Sequence, residues 1–340
     1  MNASQKKALG ILGGIVVVLA VLLIVVISIN KRHDAAAAEA ASSAADAVTD
    51  SGVSYKALTY TNSTATLSFA VDENGEWYWA DDPEFPLNSD YITKILNTIT
   101  GLTPHQTITD GDTLDAYGLS EPAETLTATA EDGSTTTFAL GDAVVGDSGS
   151  YYMMMNDDEA TVYVITDSLY TELATGIYEM MTLPTLPVLT EDRLSSITVT
   201  GAVETMATAI VAESGDAASS ADTSADSTPS VSWRSEGANV TDYMADLVSA
   251  VSAPTLAKCE DYKPTGAAAA LCGFDAPAAV LTVNYLTDTG KDATYTLSIG
   301  GTTTDGSSRY VRLDGDTTIY SMPSDALATI LSVAASGLQA

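Results

Sequence analysis

By its pattern of apolar and polar positions the chain divides into three stretches. From Ala8 to Ile29 it reads ALGILGGIVVVLAVLLIVVISI, apolar throughout and free of charge. A run of this length crosses the roughly 30 Å hydrocarbon core of a bilayer as one helix, which predicts a transmembrane segment at 8–29 behind a short tail at 1–7. Residues 30–54 are poor in bulky apolar side chains and lack Phe, Trp and Tyr. They read as a low-complexity stalk. Beyond them, segments that alternate with the period of a strand are interrupted by stretches with the period of a helix.

Two of the helical stretches share one spacing. Tyr91, Ile92, Ile95, Leu96 and Ile99 lie on one stripe, and Tyr243, Met244, Leu247, Val248 and Val251 repeat it without a gap. Asp90 and Asp242 suit the positive end of each helix, and Ser89 and Thr241 are the expected caps. The surroundings repeat as well. Upstream of the first helix, TATLSFAVDENGEWYW reads as a hairpin ending in Trp77 and Trp79. Upstream of the second, ETMATAIVAESG and VSW, ending in Trp233, are separated by an Ala/Ser/Asp/Thr tract. If the two regions are copies, that tract, residues 213–230, is an enlarged hairpin tip rather than a linker.

Downstream, Tyr117, Gly118, Leu119 and Pro122 align with Cys272, Gly273, Phe274 and Pro277. Both regions continue with a strand, a polar turn and a strand closing on a glycine, then a further hairpin and a last helix. Such ordered self-similarity reveals architecture. The expectation is an α+β fold: an N-terminal transmembrane helix, then two tandem repeats, each an antiparallel sheet with about two helices on one face. The repeats cover 55–183 and 194–340, joined by a connector at 184–193 that carries Pro184 and Pro187.

Charge adds an orientation and an exclusion. Lys6 and Lys7 nearly balance Lys31 and Arg32, but a short tail before the apolar run and a long acidic part after it is the layout of a signal anchor with its N-terminus in the cytoplasm. A cleaved leader is the alternative, with Ala35 and Ala37 as the small-residue pair. Lys31, Arg32 and His33 intervene, and the apolar run is longer than such leaders use. Every Asp and Glu lies from Asp34 onward, and the net charge is −32. Such a surface repels phosphate backbones, so nucleic acid is excluded as a partner.

Candidate chemistry is sparse. Gly146-Asp147-Ser148-Gly149 has the form of a serine-protease nucleophile loop, but the histidines are His33, beside the apolar run, and His105. The aligned loop of the second region, Asp305 to Ser308, has no such form. Asp110, Asp112 and Asp115, Asp157 to Glu159, and Asp314 with Asp316 do not complete a calcium loop. Met153, Met154 and Met155, being consecutive in a strand, do not share a face on which to hold a soft metal. Trp77 and Trp79 form either a platform for sugar rings or, with Trp233, shared core beneath the helices. Cys259 and Cys272 either close a short disulfide loop in an oxidising compartment or stand as two thiols. No catalytic residue, cofactor site or metal site is assigned.

The tryptophans before the helix, Tyr117-Gly118-Leu119 with Pro122, Leu140-Gly141, and Tyr151-Tyr152 followed by Val162-Tyr163 resemble, as a series, the domain of unknown function 4340 family. The resemblance spans nearly everything after the stalk. It implies a bacterial membrane protein with an N-terminal anchor, a companion of ABC-type or gliding-like export systems. The second region departs from the motif at Cys272 and Phe274. The expected function is a non-catalytic, membrane-anchored extracytoplasmic component of an envelope transport complex, with ABC transporter subunits or other envelope proteins as partners. The alternative is a binding module for a small molecule or glycan.

Overall fold

The computed structural model describes residues 46–212 and 230–338. The tail at 1–7, the apolar run at 8–29, most of the stalk and nearly all of the 213–230 tract lie outside the described residues. Among those described, no helix is long and apolar enough to cross a membrane. The chain forms two compact units. Unit 1 holds the described residues up to Pro83 together with Ser89–Thr175, and unit 2 holds Glu84–Asn88 and the described residues from Gly176 onward.

Unit 1 is an antiparallel sheet of β1 (Tyr55–Thr61), β2 (Thr66–Val71), β3 (Trp77–Trp79), β4 (Gln106–Ile108), β5 (Glu124–Ala130), β6 (Thr135–Ala143), β7 (Ser150–Met155) and β8 (Val162–Thr166). Their order is β3-β2-β1-β5-β6-β7-β8-β4. Helices α1 (Asp90–Ile99) and α2 (Ser168–Leu173) pack on each other, and α2 reaches β5. The strand period is plain in β5, where Glu124, Leu126, Ala128 and Ala130 are buried and the threonines between them are half-buried. The helical period is equally plain in α1, which buries Ile92, Ile95 and Ile99. Two polar side chains inside unit 1 are tied to the end of the second helix. The Tyr60 hydroxyl donates to the Thr175 carbonyl at 2.6 Å, and the Asn62 amide donates to the Leu173 carbonyl at 2.8 Å, satisfying the end of α2.

Unit 2 contains β9 (Leu194–Thr200), β10 (Glu204–Ala212), β11 (Ser230–Ser235), β12 (Ala238–Asn239), β13 (Lys258–Asp261), β14 (Ala279–Leu286), β15 (Asp292–Thr302), β16 (Ser308–Leu313) and β17 (Ile319–Pro323). The order is β12-β11-β10-β9-β14-β15-β16-β17-β13. Apart from the two-residue edge strand β12, this is the order of unit 1 strand for strand. Ala212 pairs with Ser230, so the strands on either side of 213–229 are sheet neighbours. Helices α3 (Ala245–Ser252), α4 (Gly266–Leu271) and α5 (Ala328–Ser336) complete the unit. The segment Glu84–Asn88 lies along residues 180–182: Asn88 N–H donates to Met180 O and Thr182 N–H to Pro86 O, each at 2.7 Å, and Phe85 meets Tyr262 edge to face.

Neither expected cap bonds its helix through its side chain. Ser89 is itself helical, at φ −65° and ψ −11°, which leaves its hydroxyl without a capping bond. The Thr241 hydroxyl accepts from the Trp233 backbone N–H at 2.9 Å instead. Trp233 is completely buried, and its Nε1–H donates to the Glu191 carboxylate at 2.8 Å. Replacing Trp233 with Phe shrinks a packed side chain and removes this bond. The expected loss is about 2–3 kcal/mol of stability in urea unfolding of the variant.

Candidate functional site

Of the motif residues of unit 1, Tyr117, Gly118, Leu119, Gly141 and Tyr152 meet at one place on the sheet. The 3-10 turn Leu114–Tyr117 ends at Gly118, whose φ of +67° is a left-handed conformation that glycine adopts without strain. This turn presses its last carbonyl onto β6: a methyl group added at Gly141 would lie 2.1 Å from Tyr117 O. Unit 2 makes the same contact. Gly273 has φ +88°, and a methyl at Gly300 would lie 2.2 Å from Cys272 O. Both glycines sit beside a register shift, between Leu140 and Ala143 and between Ile299 and Thr302. The Gly-to-Gly motif is therefore a backbone-on-backbone contact, and Cys272 fulfils through its carbonyl the role Tyr117 has in unit 1.

In unit 1 this turn makes the floor of a groove of about 840 Å³. Leu119 is 2 % exposed and Met154 8 %, and with Val162 they form a cluster against which Leu114, Tyr117, Ala139 and Tyr152 pack. The Tyr117 ring leans on Tyr152 with centroids 4.8 Å apart, and its hydroxyl accepts from Asp112 N–H at 2.9 Å, fixing one bank. The other bank is the β7–β8 turn, where Asn156 and Asp157 both hold positive φ, +52° and +56°. Asp112, Asp157 and Glu159 line the groove, and among the described residues no Lys, Arg or His does.

Register locates the same surface in unit 2. Ala139 pairs with Met154 next to the Leu140–Met153 pair, and Ser298 pairs with Arg312 next to the Ile299–Val311 pair. Arg312 thus stands where unit 1 has Met154, and Phe274 follows its left-handed glycine as Leu119 does. The Arg312 guanidinium lies over the Phe274 ring at 4.9 Å.

A second feature lies at the start of β5. Glu124 is 5 % exposed, and its Oε2 has no hydrogen-bond partner among the described residues. Burial pushes its carboxyl up to about 7. Tyr170, stacked on Tyr151 with centroids 4.1 Å apart, is raised by burial and then by the charges of Glu124, Tyr151 and Asp142. Glu124 pairs with Leu140, and the matching pair in unit 2 is Ala279 with Ile299. The position needs no carboxylate for the fold. Sequence reasoning passed over Glu124, although its phase with Leu126 and Ala128 points it inward.

The other candidates are scattered. Trp77 and Trp79 are half-buried on the edge strand β3, whereas Trp233 is core. Cys259 is buried on β13 and Cys272 half-buried at the end of α4, both as free thiols. Burial, then Asp261 and Glu260, pushes the Cys259 thiol up to about 12, and burial raises Cys272 as well, so both are held as poor nucleophiles. Met153, Met154 and Met155 are all buried, two on one face of the sheet and one on the other. In the Gly146–Gly149 turn the Asp147 carboxylate accepts from Ser150 at 2.8 Å, and among the described residues no hydrogen bond joins Ser148 to His105. In the matching turn of unit 2, the Thr303 and Ser307 hydroxyls hold Asp305 down to about 2. No group of three or more His, Cys, Asp or Glu among the described residues is placed to hold a metal ion.

Fold and site together define an α+β protein of two antiparallel sheets whose signature residues shape a groove. Residues 77–269, more than half of the chain, match the family described as a domain of unknown function (DUF4340), and the chain belongs to that family. No curated protein and no solved structure matches it.

Proposed function

We propose that this chain is a membrane-anchored, extracytoplasmic, non-catalytic protein that binds a partner as an auxiliary or scaffold component of an envelope transport complex of ABC type. The observation that carries the reading is the use made of the family motif. Gly118 and Gly141 build a tight backbone contact, and Leu119 and Pro122 line an open groove, rather than a set of acids, bases and nucleophiles. The uncharged run at 8–29, placed before the acidic units, supports a tether to the membrane. The common strand order and the repeated glycine contact support two copies of one unit, one per sheet.

Affinity capture of the full chain after mild crosslinking in native membranes tests the proposal. The expected product is a reproducible adduct with membrane subunits of a transporter. Repeated recovery of the chain alone, under conditions that crosslink a known membrane complex, overturns it.

A further inference from the structure

We infer that the groove of unit 1 receives an arginine side chain from a basic segment of a partner protein, its guanidinium lying over Leu119 and Met154 among the carboxylates of Asp112, Asp157 and Glu159. This rests on the reading that the chain acts by binding a partner, and it names the chemistry of the contact.

The strongest support is internal. At the equivalent surface unit 2 carries its own Arg312, stacked on Phe274 at 4.9 Å. By register the same strand position in unit 1 is Met154, which lies flush in the floor at 8 % exposure and leaves about 840 Å³ open above it. One unit thus supplies from within its own strand the group that the other leaves to be supplied from outside. The shape and charge of the vacant groove agree. Its floor is apolar, three carboxylates line it, and none of the described residues lining it is basic. A guanidinium suits this mixture better than an ammonium. It is planar and weakly hydrated, so it gives up little solvation in lying on an apolar floor while its edges meet carboxylates. An acidic segment is repelled by the same rim and by a chain of net charge −32.

The test uses the purified full chain in detergent and short labelled peptides in which leucine alternates with arginine, lysine or glutamate, read by fluorescence anisotropy. The arginine peptide is expected to bind, the lysine peptide roughly threefold or more weakly, and the glutamate peptide not at all. Two variants address the groove. Met154→Arg installs the residue that unit 2 carries and closes the site from within. The pair Asp157→Asn with Glu159→Gln removes two exposed charges, and asparagine tolerates the positive φ at 157. Each is expected to weaken the arginine peptide about tenfold or more.

Equal binding of the arginine peptide to wild type and both variants overturns the inference, because it is then attraction to an acidic chain at large. So does equal binding of the arginine and lysine peptides. Should Met154→Arg fail to fold, the Asp157 and Glu159 pair decides alone. In the crosslinking experiment, a partner captured equally by wild type and the Asp157/Glu159 variant overturns the groove and leaves partner binding standing. Arginine binding that depends on the groove, without any captured partner, supports the groove and overturns the assignment to a complex.

Discussion

Replacing Gly141 or Gly300 with alanine is expected to destabilise its unit by about 3 kcal/mol or more. The added methyl would lie 2.1 Å from Tyr117 O in the first case and 2.2 Å from Cys272 O in the second. Real carbon–oxygen contacts do not approach this closely, so something has to move. The neighbour is backbone in both cases, held in unit 1 by the Leu119 N–H to Leu114 O bond at 2.9 Å and in unit 2 by Gly301 N–H donating to Cys272 O at 2.7 Å. Neither can swing aside as the tip of a flexible side chain would. The turn must lift from the sheet, and in unit 1 the groove floor lifts with it. Gly149→Ala is the control, since no atom of the described residues lies within 4 Å of its added methyl. Its urea midpoint should stay near wild type while those of Gly141→Ala and Gly300→Ala fall. A Gly141→Ala protein as stable as Gly149→Ala would show that the turn is not anchored by this contact.

Glu124 should give the chain a pH-dependent component of stability that Glu124→Gln lacks. Its carboxyl titrates near 4.5 when unfolded and near 7 when folded, because burial disfavours the charged form. Below about pH 4.5 both states hold the proton and the group contributes no difference. From there to about pH 7 the unfolded chain releases its proton while the folded chain keeps it, so stability falls as pH rises. Above about pH 7 both are ionised and the full penalty, on the order of 3 kcal/mol, is constant. The net acidic surface adds its own pH dependence, but wild type and Glu124→Gln share it. Their difference in unfolding free energy should therefore grow in favour of the glutamine variant across that window and then level. Parallel curves from pH 4.5 to 8 would mean that Glu124 is solvated in the folded state.

Much of the architecture was legible because burial imposes periods that a sequence records. The α1 stripe is buried at Ile92, Ile95 and Ile99, and α3 buries Leu247 and Val251 as the matched spacing suggests, but that stripe begins before the helix, with Tyr243 exposed in a 3-10 turn. The antiparallel sheets follow from alternation such as that of β5. What failed was local competition. Ser89 and Thr241 have the right side chains for caps, but a cap also needs extended backbone and a free hydroxyl. Ser89 lacks the first, and Thr241, the opening residue of a 3-10 turn (Thr241–Tyr243), lies within helical backbone while its hydroxyl accepts from the Trp233 N–H. The motif was legible as a pattern and opaque in purpose, since a carbonyl lying on a glycine leaves no side-chain signature. The groove was invisible for a related reason. Nothing in Met154 or Arg312 alone says that they occupy one position; the strand register does.

The excursion of Glu84–Asn88 governs how this chain can be taken apart. Five residues that follow β3 belong to unit 2, after which the chain returns to unit 1 at α1. A cut near Thr175 would leave the first fragment with Phe85 stripped of its Tyr262 neighbour, and the second with residues 180–182 missing the 84–88 segment that bonds their backbone. No single cut among the described residues separates the two units, because unit 2 draws on both 84–88 and the chain from Gly176 onward. Truncations meant to assign a role to one sheet will damage the other unless the 84–88 segment is supplied in trans or grafted.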